Sequence, residues 1–121
     1  MRSAADALAA FVALEHAWFL VLEMFLWTKP IGLKTFRLTP QFAEASKALA
    51  ANQGLYNGFL AAGLIWGLLA GDPATALSVK TFFLVCVVAA GAVGAATVSP
   101  RILFVQAAPA LAALALLRLA R

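Results

Sequence analysis

The chain reads as an all-α integral membrane protein: a four-helix bundle whose second helix is extended at its N-terminal end by an interfacial segment. Three observations predict this. Of its 121 residues 64% are hydrophobic and 12% charged, with a mean hydropathy of +0.96, whereas a soluble domain needs roughly a quarter charged residues to cover its surface. The apolar residues gather into four segments, about 5–27, 49–70, 79–98 and 102–120. Each is close to the ~20 residues that an α-helix needs to cross ~30 Å of hydrocarbon. The breaks between them carry turn and helix-stop residues.

The first segment is too long for the apolar core of a signal peptide, and no small-residue cleavage site follows it, so it is expected to stay in the protein. The break after it, "TKPIGLKTFRLTP", holds Pro30, Gly32, Pro40 and several hydroxyl and basic side chains, and must leave the bilayer core. Thr39-Pro40 before "QFAEASKALA" reads as an N-cap with proline at the first helical position. Phe42, Ala45 and Leu49 then recur at helical spacing, which starts the second helix near Pro40 and brings it into the membrane around Ala48. "GDP" at Gly71 to Pro73 stops that helix, and "SPR" at Ser99 to Arg101 makes a tight turn before the last one. Without repeats or low-complexity linkers, residues 1–121 read as one domain.

Charge narrows the class further. The net charge of +4 comes from nine Lys and Arg residues scattered near segment ends, with no basic stripe interleaved with aromatics, which excludes a nucleic-acid partner. Lys29, Lys34, Arg37, Lys47 and Arg101 stand on one side of the expected topology, and Arg2, Lys80, Arg118 and Arg121 on the other. The excess in the first loop places that loop in the cytoplasm of a multi-pass cell-membrane protein. The single cysteine, Cys86, reads as a small buried hydrophobe. No Cys/His spacing suits a metal, and no phosphate loop or nucleophile elbow suggests a cofactor or a hydrolase.

The polar residues inside the spans carry the functional interest. "ALEHAWFLVLEMFLW" places Glu15, His16 and Glu23 within the first helix. His16 and Glu23, seven apart, lie about 20° from one another around it, and Trp27 falls on the same stripe. An ionised carboxylate at membrane depth costs at least ~2.5 kcal/mol, so such residues mark proton-handling or ligand sites, or pair with a neighbouring helix. On the second helix Asn52 and Tyr56 share a face, with Gln53 and Asn57 on a stripe beside it, at spacings suited to meet those carboxylates. The pairs Gly54/Gly58 and Gly63/Gly67, and Gly91 with Gly94 on the third helix, read as close-packing positions. Gln106 and Pro109 are expected to bond across the bundle and bend the fourth helix.

At "EMFLW" and "ANQGLYNGFLAAGLIWG", with "FRLTPQFAEASKALA" between them, the chain resembles the small integral membrane proteins grouped as domain of unknown function 1304. That resemblance implies four transmembrane helices and no established activity. In size, helix count and a carboxylate in the first span the chain also looks like the small multidrug transporters, which act as dimers, although the motifs do not match. Small four-helix membrane enzymes of glutathione metabolism carry Arg, Asn and Glu on their second helix. Here "AANQGLYN" has the amides without the Arg or the Glu.

The reading that follows is a homo-oligomer in the lipid bilayer, holding a small lipophilic or cationic ligand in a polar cavity between the first two helices. Glu15, His16, Glu23, Trp27, Asn52, Gln53, Tyr56 and Asn57 are its candidate residues. The alternatives are a membrane-embedded enzyme using His16 and Glu23 as acid and base, and a subunit of a larger membrane complex.

Overall fold

The computed structural model describes residues 2–120, the side chains of Arg2 and Leu103 excepted; Arg121, one of the charges counted above, lies outside the described residues. The described chain is all-α: α1 (Arg2–Met24), α2 (Pro30–Phe36), α3 (Pro40–Leu69), α4 (Pro73–Thr97), a π-helical turn (Leu103–Ala107) and α5 (Ala108–Leu119). Ser3–Met24 and Pro73–Thr97 are long and apolar enough to cross a membrane, and Phe104–Leu119 forms a shorter apolar stretch. With 30 residues α3 has the length, but Asn52, Gln53, Tyr56 and Asn57 interrupt its apolar run.

Capping chemistry sets the helix starts. α3 begins at Pro40 as the sequence pattern predicts, with Thr39 Oγ1 accepting from the Phe42 N–H at 3.1 Å. α4 begins at Pro73, six residues ahead of the expected span (79 − 73). Its cause is Asp72, whose Oδ2 accepts from the Thr75 N–H at 2.9 Å and the Thr75 hydroxyl at 2.7 Å. Those bonds, the hydroxyl's first, hold the Asp72 carboxyl below the usual carboxylate range. The first apolar segment was expected to stay helical to Trp27, but α1 ends at Met24. The segment expected to be a connection contains α2, with Pro30 in its first turn and Arg37 closing it in the left-handed region at φ 56°. In the last segment Pro109 has no N–H and would crowd the carbonyl four residues earlier. The π-helical turn immediately before α5 absorbs that mismatch and leaves Pro109 in the first turn of the new helix.

The described residues divide into two compact units, one made of those up to 14 with those from 60 onward and the other of residues 15–59. The first has a core drawn from four helices: Ala5, Val12 and Ala13 of α1, Leu64 of α3, Leu84 and Val87 of α4, and Ala110, Ala113 and Leu117 of α5. Glycines on α3 and α4 let neighbouring segments come close. At Gly91 of α4 an added Cβ would lie 2.8 Å from the Ala107 Cβ and 3.0 Å from the Ala107 N. At Gly94 it would lie 2.9 Å from the Ile102 side chain, and at Gly63 it would collide with the Phe83 ring. The second unit packs the end of α1, α2 and the first half of α3. There Trp27 lies on Phe36 with ring centroids 4.9 Å apart, and the α2 backbone at Gly32 runs directly against the Leu26 carbonyl.

Candidate functional site

Within the second unit a polar contact joins α1 to α3. Asn57 Nδ2 donates to Glu23 Oε1 at 2.5 Å, and Asn57 is 6% exposed. Glu23 itself is half-buried. Only a bare backbone allows the approach: a Cβ at Gly54 would sit 2.8 Å from Met24 Cγ, 3.0 Å from Glu23 Cβ and 3.2 Å from the Leu20 carbonyl oxygen. At Gly58 the demand is weaker, since the nearest atom is Leu20 Cδ1, 2.5 Å away at the free end of a flexible side chain. A hydrogen bond in apolar surroundings is stronger than its counterpart in water, and both partners are costly to leave unpaired.

Beyond the end of α1, Trp27 Nε1 donates to Ser46 Oγ at 3.0 Å, about three turns of α3 before Asn57, and Ser46 Oγ donates to the Phe42 carbonyl at 2.7 Å. Ser46 is a member of this polar seam that sequence reading missed. Its signal was present: Ser46 and Asn57 are eleven residues apart, which returns to within about 20° of the same direction on a helix. The small buried residues Ala43, Ala50 and Gly54 share that stripe. The other polar residues of α3 point elsewhere. Asn52 and Gln53 are exposed. Tyr56 is 51% exposed and packs obliquely on Phe59 with centroids 6.0 Å apart.

On α1 His16 is fully buried, its ring edge-on to Phe19 at 5.2 Å. Seven residues of continuous helix separate it from Glu23, about 10 Å of rise, so the two do not form a direct acid–base pair. Glu15 Oε1 is buried and has no hydrogen-bond partner among the described residues. A buried carboxylate oxygen without a donor is costly, and it leaves bonding capacity for a proton or a ligand.

In the first unit a second polar feature was not anticipated. Lys80 Nζ donates to Asp6 Oδ1 at 2.6 Å, with the lysine side chain 8% and the aspartate side chain 39% exposed. Gly67 makes room for it: a Cβ there would lie 2.6 Å from Lys80 Cγ and 3.0 Å from its backbone N. A cavity of about 410 Å³ adjoins the pair. Among the described residues no group of three or more His, Cys, Asp and Glu side chains could hold a metal ion.

The family model described as "Protein of unknown function (DUF1304)" matches residues 10–118. No curated protein and no solved structure matches the chain.

Proposed function

Because the chain belongs to the DUF1304 family, whose description assigns no activity, we propose a function from its own residues: binding or transport of a small lipophilic or cationic molecule inside the membrane. Glu23 is the proton-handling group, positioned by Asn57. The observation that carries this reading is the Glu23–Asn57 bond itself, a carboxylate held by a buried amide within an apolar helix pair. A carboxylate offers about four lone-pair sites, and this bond occupies one. Glu15, with its unpartnered buried oxygen, supplies a second acceptor for a cationic ligand on the same helix.

Four membrane crossings fit the exterior. Phe11, Leu14, Ile65, Trp66, Phe82 and Phe104 all face outward, a surface suited to acyl chains or to a second copy of the chain. In that arrangement α3 and the π-turn–α5 segment cross beside α1 and α4, the α2 connection faces the cytoplasm, and the small interior of one protomer favours a homo-oligomeric site.

Proteoliposomes loaded with a pH-sensitive dye and challenged with tetraphenylphosphonium test the reading. The wild type is expected to move protons in response, and Glu23→Gln to lose that response while inserting normally. Glu44→Gln, which removes only an exposed partner of Lys47, is expected to behave as wild type. An undiminished response from Glu23→Gln, or none from the wild type, contradicts the proposal.

A further inference from the structure

We propose that the cavity beside Asp6 and Lys80 binds the headgroup of a zwitterionic lipid, an aminophospholipid, and that the neighbouring groove holds its acyl chain. This rests on the membrane placement proposed above but not on the Glu23 site.

The cavity carries both charges of such a headgroup's complement. Lys80 is a buried ammonium with three donors, one of which goes to Asp6. Lys80 lines the cavity together with Pro73 and Ala74, the N-terminal and partly positive end of α4, and its other two donors would serve a phosphate. Asp6 reaches out of the wall, 39% exposed, and two helix C-terminal ends border the same space, α3 at Leu68 and Ala70 and α5 at Ala120. Their carbonyl ends carry partial negative charge and, with Asp6, suit an ammonium. A purely anionic ligand would meet Asp6 and these carbonyls unfavourably, and a purely cationic one would meet Lys80 and the N-terminal end of α4. A neutral molecule with separated charges satisfies both.

The apolar half of the ligand has its own place. A second cavity, of about 420 Å³, shares Leu77 and Leu117 with the first. It runs along α4 and α5 past Val85, Leu111 and Leu114, with Arg118 on its rim. A chamber holding one charge of each sign that meets an apolar groove across two leucines is the shape of a headgroup and a tail. Asp6 and Lys80 stand within the first two turns of their helices. For helices that cross a bilayer, this is the level of the headgroups.

Native mass spectrometry of the full-length protein in mild detergent, with phosphatidylethanolamine and phosphatidylglycerol in equal amounts, reads the preference. The wild type is expected to retain phosphatidylethanolamine at least fivefold over phosphatidylglycerol. Asp6→Asn removes the site's negative charge and should invert that ratio, while Lys80→Gln should lose both lipids. Chainless phosphoethanolamine at the same concentration should fail to displace the lipid. An ion pair that only braces the helices would alter melting temperature in both variants and leave the ratio unchanged. Such an unchanged ratio, equal retention of the two lipids by the wild type, or displacement by the chainless headgroup would overturn the proposal. If Lys80→Gln does not fold, Asp6→Asn decides alone, since its partly exposed side chain makes it the milder change.

Discussion

Gly91→Leu is expected to lower the stability of the protein in detergent by about 3 kcal/mol, the upper end of the usual cost of overpacking a filled site. The reason is the identity of the atoms in the way. A Cβ at Gly91 would meet the Ala107 backbone N at 3.0 Å and its Cα at 3.2 Å, and backbone cannot rotate aside. Gly58→Leu, which the small-residue pattern alone marks as equally disruptive, should cost about 1 kcal/mol. There the obstacle is a Leu20 methyl group, the free end of a flexible side chain. Gly71→Ala, with nothing within 4 Å, should be neutral. Denaturant or thermal unfolding of the three variants orders them. Wild-type stability in Gly91→Leu would mean that α4 does not lie against the π-helical turn.

Glu23→Leu is expected to destabilise by about 1–3 kcal/mol, because it strands the buried Asn57 amide without an acceptor. Glu23→Gln keeps an acceptor in place and should cost less than about 1 kcal/mol. The double variant Glu23→Leu/Asn57→Leu removes both polar groups and should recover a good part of the loss, as apolar replacement of a buried polar pair often does. Equal tolerance of Leu and Gln at position 23 would show that the carboxylate is solvated at an interface and holds nothing.

What was legible in the sequence followed helical periodicity. Ala5, Ala9, Val12 and His16 are buried along one stripe of α1, and Glu23 continues it, as the seven-residue spacing of His16 and Glu23 requires. Asn57 was among the expected partners of Glu23, but so were Asn52, Gln53 and Tyr56, which the structure leaves outside the seam. Polarity was an incomplete guide to the buried face of α3, where it marks Asn57 but does not separate it from its neighbours. Size was the better one: Ala43, Ala50, Gly54 and Ala61 are buried on the stripe that carries Asn57 and Ser46, and small residues mark where two helices approach. The Asp6–Lys80 pair escaped for a different reason. Charges near the ends of apolar segments usually anchor in headgroups, and no local spacing links two residues separated by 74 positions. α2 was hidden because Pro30 and Gly32 read as breakers, whereas Pro30 sits in the first turn and Gly32 where the helix touches the preceding turn.

The central claim is that this chain crosses the membrane four times, and side-specific cysteine labelling tests it most directly. On a Cys86→Ala background, single cysteines at the exposed positions Lys34, Gly71 and Pro100 are treated with an impermeant maleimide in intact and in opened cells. Lys34→Cys and Pro100→Cys should label only after opening, and Gly71→Cys in both preparations. Labelling of all three from the same side, in either preparation, would contradict four crossings.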